Sequence, residues 1–393
     1  MLGKLNIAII GCGPGGLATA LFLKSQGHDI TIFEQFSEPL PVGSGLLIQP
    51  SGQSILERLG LLDSIKSLAS PVHQLHGISV ERNRRALDMQ YANTSEGIAA
   101  LGIHRASLFS ILLRAVQRAG VPIVVNSKLT AVENSGNLVR PIFEIGASDR
   151  MFDLLVDASG ARSPLAGGKL TPLDYGAFWA TVDMPGEHDL MPAALDQRYY
   201  RASQMAGILP IGLNPATGNP GAAIFWSEKP ENADVVIAAG IDQFRKNYCD
   251  LWPEAEPFVS QLTSMEELNL AVYGHRTGRP APTDRLFHVG DSWHCTSPQL
   301  GQGANMALID AAALAAALDQ SESIGQVGKK YRKARMNHIR LYQMLSVVFT
   351  PLYQSDSALK PWIRDIAIHH FARAPIIRRF IAKTVSGNLA LKI

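Results

Sequence analysis

The chain has 393 residues, 46% of them hydrophobic, with 36 Lys and Arg against 34 Asp and Glu and a formal net charge of +2. That length can bury a large core shared by two or three units, and the near-neutral balance gives no global case for nucleic acid. Cys12, Cys249 and Cys295 show neither disulfide nor metal spacing, no run of roughly 18 apolar residues suggests a membrane span, and a strand pattern by Leu5 leaves no room for a signal peptide, so a cytoplasmic protein is expected.

The apolar run Leu5 to Ile10 predicts a strand, and it leads directly into Gly11-Cys12-Gly13-Pro14-Gly15-Gly16, a G-x-G-x-x-G. Gly11 suits a tight turn, Gly13 lets backbone approach a pyrophosphate, and Gly16 lets the following helix pack close to the strand. Pro14 falls in a first turn that has no N–H partner to lose. The helix N-terminus offers free N–H groups and partial positive charge to phosphates. The helix pattern runs to Gly27, and a second strand, Asp29 to Phe33, ends at Glu34. That acid lies about 20 residues beyond the glycines, where a carboxylate can bind ribose hydroxyls. A glycine-rich turn of some other α/β fold is the bland alternative; strand, turn, helix, strand and acid in this order favour an adenine dinucleotide.

Gly43-Ser44-Gly45 reads as a loop and Ser51 to Leu59 as a short helix. Leu75 to Val80 and Leu87 to Tyr91 read as the first strands of a second sheet. Arg105 then opens a helix to Ala119, followed by strands through Val124 and Val132 and one ending at Asp157. From Tyr175 to Tyr273 the pattern is β-rich, with strands at Ala177 to Val182, Gln197 to Arg201, Ala206 to Ile211 and Ala222 to Trp226, punctuated by Gly and Pro. A helix is expected at Ile241 to Tyr248. Such a sheet can roof a ligand pocket. Tyr199, Tyr200, Arg201, Phe225, Trp226 and His275 are its candidate lining residues; aromatics in a sheet serve packing as readily, and none is given a catalytic role.

A strand-like run, Arg285 to Val289, precedes Gly290-Asp291, then Pro298-Gln299-Leu300-Gly301-Gln302-Gly303-Ala304-Asn305 and a helix from Met306 to Leu318. Asp291 can hydrogen-bond a ribityl chain, and Gly301, Gly303, Ala304 and Asn305 open a helix whose dipole can stabilise negative charge on a reduced isoalloxazine. The two glycine-rich stretches together point to FAD, one for each end. His294 reads as structural rather than as a proton donor. No second G-x-G-x-x-G appears, so a separate nicotinamide domain is not expected.

From Lys329 onward thirteen Lys and Arg face only Asp356 and Asp365, about +11 in the tail against about −9 before it. Basic and apolar residues alternate there at helical spacing, which fits a membrane-surface helix. A helical clamp on the acidic cofactor unit is the favoured reading, because Tyr331, Leu341, Leu345 and Trp362 recur like a core-facing stripe.

Gly11 to Gly16 with Glu34, and Gly290-Asp291 through Asn305, resemble the FAD fingerprints of the group A flavoprotein monooxygenases. Asp153-Leu154-Leu155-Val156-Asp157-Ala158-Ser159-Gly160 resembles that family's middle motif, and His104-Arg105-Ala106-Ser107-Leu108 its helix start where an Arg contacts the cofactor. The matches span residues 5 to about 320. One departure stands out: the motif's usual Asp before Gly is Ser159 here, a form also similar to flavin-dependent halogenases and geranylgeranyl reductases, although no Trp-x-Trp-x-Ile-Pro segment is present. The resemblance implies an α/β fold in which a Rossmann-like FAD-binding domain (1–70, 99–174, 274–328) is interleaved with a β-sheet substrate domain (71–98, 175–273), with a C-terminal helical segment (329–393). It implies cofactor contacts at Gly11, Gly13, Pro14, Gly15, Gly16, Glu34, Gln35, Arg105, Leu129, Asp291, Gly301, Gly303, Ala304 and Asn305, and no metal. It implies hydroxylation or epoxidation of an aromatic or other electron-rich small organic substrate through a flavin C4a-hydroperoxide, with NADPH or NADH as transient co-substrate and O2, by a monomer or homodimer. The alternatives are an FAD oxidoreductase acting on a lipophilic substrate and a non-oxygenating FAD-binding protein.

Overall fold

The computed structural model describes residues 2–39, 43–94, 97–371, 374–389 and 391. Its first sheet is parallel, in the order Leu286–His288, Leu154–Asp157, Asn6–Ile10, Asp29–Phe33, Ile123–Val124. Asn6–Ile10 is apolar on both faces because both are covered. Ile7 and Ile9 face one core with the helices Pro14–Ser25, Arg105–Arg118 and Gly303–Asp319. Ala8 and Ile10 face a second core, under the antiparallel strands Leu129–Ser135 and Leu138–Phe143. The period of two along the strand thus fixes which layer each residue serves.

The second sheet has seven strands, in the order Asn269–Ala271, Gly176–Asp183, Pro220–Glu228, Gln204–Leu213, Ala194–Tyr200, Gln74–Ser79, Arg84–Gln90. Alternation again separates its faces. Phe178, Ala180, Ile208, Ile224 and Trp226 pack on the helix Ala233–Leu251. Leu209, Ile211 and Ala223 point the other way, toward Leu47 of the strand Gly45–Ile48 in the first unit. The two units touch closely there: a Cβ on Gly45 would lie 2.6 Å from both Ala223 Cβ and Ile211 Cγ2. A residue with any side chain would push the sheet away from the first unit.

Three helices, Ile324–Tyr353, Leu359–Phe371 and Pro375–Val385, follow. Tyr331 is fully buried and its hydroxyl donates to His288 O at 2.9 Å, while Tyr353 donates to Ala86 O at 3.1 Å. The long helix therefore spans both sheets. Tyr331 and Leu345 face inward as the stripe requires, Leu341 is half-buried, and Trp362 is 44% exposed and does not belong to it. Three boundaries also move. The helix expected from Met306 begins at Gly303. The helix expected over Ile241 to Tyr248 extends from Ala233 to Leu251 across a kink at Gly240, φ +83°. Arg201 leaves its strand for a left-handed turn, φ +54°. Among the described residues no helix is long and apolar enough to cross a membrane.

Candidate functional site

At the first glycine-rich turn, Gly11 has φ +99°, and a Cβ there would lie 2.7 Å from Ala158 O. A Cβ on Gly16 would overlap Gly11 O, and one on Gly15 would lie 2.9 Å from Val289 Cγ1 and 3.2 Å from Ala307 Cβ. These glycines are packing requirements, and Gly15 is where the two fingerprints touch. Gly13 differs: a Cβ there meets nothing within 4 Å, and it precedes a helix with Pro14 in its first turn and no side-chain cap. An open, uncapped helix N-terminus is what an anion needs.

Glu34 is buried, and its carboxylate accepts Cys12 N at 2.8 Å and Phe36 N at 3.2 Å. It therefore shapes the glycine turn as well as offering charge beside it. Gln35 is exposed next to it. Ser127 N bonds Glu34 O at 2.7 Å, bringing the segment that leads to Leu129 alongside. The Leu129 side chain turns into the apolar cluster with Phe33 and Phe143, which leaves only its backbone for a ligand.

The second fingerprint is held by a buried polar network. Asp310, with no exposure, accepts Gly290 N at 2.9 Å, lies 2.6 Å from His294 Nε2, and accepts Arg335 Nε at 2.6 Å. Burial alone pushes this carboxyl upward, but the charges of His294 and Arg335 outweigh it and hold it below the usual range. His294 is thus a structural partner of Asp310, as its sequence context suggested. Arg276 adds a tie, donating to Asp291 O at 3.0 Å and to Ala161 O at 2.9 Å. The Asp291 side chain itself is exposed. Crowding protein atoms push its carboxyl up against the pull of His294, Arg105 and Arg276. Arg105 is near enough to Asp291 to act on it: its backbone N bonds Ser44 O at 2.8 Å, and a Cβ on Gly43 would lie 2.9 Å from its Cδ.

Gly301, φ +60°, ends a 3-10 turn at Pro298–Leu300, and Gly303 opens the next helix without a side-chain cap or any neighbour to a Cβ. Ala304, the next residue, is half-buried. The Asn305 side chain is committed to protein: Oδ1 accepts Gln49 N at 2.9 Å, and Nδ2 donates to Leu47 O at 3.0 Å and Gly301 O at 2.9 Å. It staples the strand Gly45–Ile48 to the glycine loop rather than reaching outward. In the middle motif Asp157, fully buried, lies 2.9 Å from His288 Nδ1 and accepts Ser159 Oγ at 2.6 Å and Ser163 Oγ. Burial pushes its carboxyl up, and the His288 contact with the two hydroxyls more than reverses that. Ser159 therefore serves Asp157, two residues before it.

Of the pocket candidates, Phe225 and Tyr199 are buried in one cluster with Tyr353 of the long helix, Trp226 packs on the opposite face against Tyr248, and Tyr200 is exposed. Arg201 pairs with Glu81 at 3.3 Å, and His275 is half-buried on the strand Gly274–Thr277. Sequence reasoning missed Trp179 and Tyr273. Trp179 lies against Phe225 with ring centroids 4.6 Å apart and donates Nε1–H to Tyr273 Oη at 2.8 Å. Arg105 is close enough to act electrostatically on Tyr273. It also missed Asp310, whose signal was an acid inside an otherwise alanine-rich apolar helix.

These residues fit FAD. The two uncapped helix N-termini, each behind a glycine with open space, suit a pyrophosphate and an electron-rich ring. Gln49 Nε2, a buried donor without a partner among the described residues, lies beside Gly301. A family model described as FAD binding domain matches residues 4–326. The chain belongs to this family, the group A FAD-dependent monooxygenases. It is similar to the FAD-dependent urate hydroxylase of Klebsiella pneumoniae, 25% identical over 346 residues covering 86% of this chain and 87% of that protein. It is also similar to the 6-hydroxynicotinate 3-monooxygenase of Bordetella bronchiseptica, 24% identical over 82% of this chain and 84% of that one. Among solved structures, Klebsiella pneumoniae HpxO complexed with FAD and uric acid superimposes with TM-score 0.80 at 19% identity, covering 98% of both chains. The tetrameric form of 2-methyl-3-hydroxypyridine-5-carboxylic acid oxygenase gives 0.79 at 19%, covering 99% of each. The chain is a flavoprotein monooxygenase.

Proposed function

We propose that this monooxygenase hydroxylates a small planar aromatic substrate that carries an acceptor oxygen, ionised or carbonyl, with NAD(P)H and O2 as co-substrates. The observation that carries the proposal is the Trp179–Tyr273 hydrogen bond beside Arg105. Trp179 occupies one lone pair of the Tyr273 oxygen, so the phenolic O–H is left to donate. Burial raises the Tyr273 pKa, against weaker pulls from Trp179 and Arg105, so it stays protonated near neutral pH and acts as a donor. The charge of Arg105 favours an electron-rich or anionic acceptor there. Phe225 and Trp179, with ring centroids 4.6 Å apart, supply apolar aromatic surface that suits a planar ring.

When bound, FAD supplies the redox and oxygen-transfer chemistry, which the protein orients and shields. In this reading the glycines Gly11 to Gly16, Glu34, Gln35 and the backbone near Leu129 serve the adenosine and phosphate end. Arg105, Asp291 and the Gly301–Asn305 loop serve the ring end. Residues 1–70, 99–174 and 274–328 make the cofactor unit, and 71–98 with 175–273 the substrate unit, a division supported by the two separate sheets.

The test is NADPH oxidation and O2 uptake by FAD-loaded protein, with and without hydroxylated heteroaromatic acids such as 6-hydroxynicotinate or urate. A stimulating substrate is expected, and Tyr273→Phe should raise its KM about 10–100-fold, the loss of a hydrogen bond to a charged group, with FAD content unchanged. Oxidation indifferent to all such aromatics would refute the substrate class; an unchanged KM would remove Tyr273 from the site.

A further inference from the structure

The turn that ends the last helix is docked on the ring end of the flavin site. Four consecutive carbonyls each receive a donor: Thr384 O from Tyr342 Oη at 2.5 Å, Val385 O from Gln302 Nε2 at 2.6 Å, Ser386 O from Ser51 N at 3.2 Å, and Gly387 O from His338 Nε2 at 3.0 Å. Carbonyls at a helix end lack intrahelical partners, so donors brought by other elements are strong anchors. These come from the long helix, the glycine loop and the helix Pro50–Arg58. Gly387 is required twice over: its φ is +83°, and a Cβ would overlap Ser51 Oγ and lie 3.0 Å from Gln302 Oε1.

The same turn is wired to the other side of the ring end. Arg335 Nη1 lies 2.8 Å from His338 Nδ1, and a guanidinium can only donate, so the His338 proton sits on Nε2 and points at Gly387 O. Arg335 also holds Asp310, which holds Gly290 and His294. One unbroken chain of buried hydrogen bonds thus joins the Gly290–Asp291 loop to Gly387, and Gln302 joins the Gly301–Gly303 loop to Val385.

We propose that Gln302 is a positioning residue through which the C-terminal helix, outside the segment 4–326 that defines the family match, holds the glycine loop in its FAD-binding form. The proposal rests on the FAD reading of the site. Flavin affinity and the polarity felt by the ring then depend on a docked tail.

The experiment is fluorescence titration of FAD into deflavinated full-length protein, with the visible spectrum of the complex and limited proteolysis of the C-terminal helix as parallel readouts. Gln302→Glu sets a carboxylate against Val385 O, and Gly387→Ala drives a methyl into Ser51. Each is expected to weaken FAD about tenfold, the loss of one well-made hydrogen bond, to shift the flavin absorption bands and to expose the tail to protease. Lys383→Ala, an exposed change on the same helix, should leave all three unchanged. Gln302→Glu keeps the side-chain shape, so it carries the test should Gly387→Ala fail to fold. FAD affinity and spectrum like wild type in Gln302→Glu, whether or not the tail is released, would overturn the proposal. Wild-type protein that ignores FAD would instead strike at the flavin reading itself.

Discussion

Asp310→Ala tests whether the buried network is held as a unit. The substitution removes the carboxylate that neutralises Arg335 and His294 and leaves Gly290 N–H without its acceptor, all with essentially no exposure. Breaking a buried ion pair from one side costs about 3–5 kcal/mol, because the surviving charge stays buried and unpaired. Arg335→Met should cost a similar amount for the complementary reason. Removing both charges relieves the orphaned partner, so the double variant should be less destabilised than the two singles added together, by roughly 2–3 kcal/mol. Urea melts of the four proteins, at one saturating FAD concentration, close the cycle. Additivity within about 0.5 kcal/mol would show that the two residues act independently and would refute the network argument. There is a pH counterpart. The folded Asp310 carboxyl lies below its ordinary value, so its contribution is complete above the unfolded pKa of about 3.9 and drains as pH falls through the lower folded value.

Glu34→Ala should weaken FAD about 10–100-fold in a fluorescence titration, and it should also destabilise the apoprotein, because Cys12 N–H loses its acceptor; an unchanged affinity would remove Glu34 from the site. Gly13→Ala and Gly16→Ala should separate binding from folding. The first meets open space and should spare the apoprotein melting temperature while impairing FAD binding; the second drives a methyl into Gly11 O and should lower both. His338 is pushed down to about 4 by burial and by Arg335, so the folded state prefers it neutral. That preference is satisfied above the unfolded pKa of about 6.5 and becomes a growing penalty as pH falls toward 4, so wild type should lose melting temperature between pH 7 and 5 more steeply than His338→Gln.

The cofactor unit was legible because its chemistry lives in short local patterns. Gly11, Gly15 and Gly16 need close approach of neighbouring atoms, which only glycine permits, and the strand Asp29–Phe33 falls where the spacing predicts it. The seven-stranded sheet was legible as strands, but its faces were not. Phe225 and Trp226 are neighbours with opposite fates, and only the register against Gly176–Asp183 and Gln204–Leu213 decides which face each one takes. Tyr273 gave no signal because it lies beyond the strand Asn269–Ala271 and gains meaning only through Trp179, far away in sequence. Asn305 was read as a ligand contact because it stands in the fingerprint; its amide proved to join two protein segments, which no spacing rule encodes. Ser159 is similar: the missing acid of the motif is explained by Asp157, whose carboxylate the hydroxyl completes.

The seven-stranded sheet also bears on how segments can be exchanged between relatives. Its strand Gln74–Ser79 runs parallel beside Ala194–Tyr200, in register from Gln74 with Ala194 to Ser79 with Tyr199. The two pieces of chain that build this sheet are separated by an entire stretch of the cofactor unit, yet they share one continuous ladder and one inner face. A graft from a relative that moved only the longer piece would join a foreign Ala194–Tyr200 to a resident Gln74–Ser79, and a one-residue mismatch there turns inward side chains outward. Recombination that preserves the ladder must therefore exchange both pieces together, and crossovers between such chains should be tolerated as matched pairs and lost as singles.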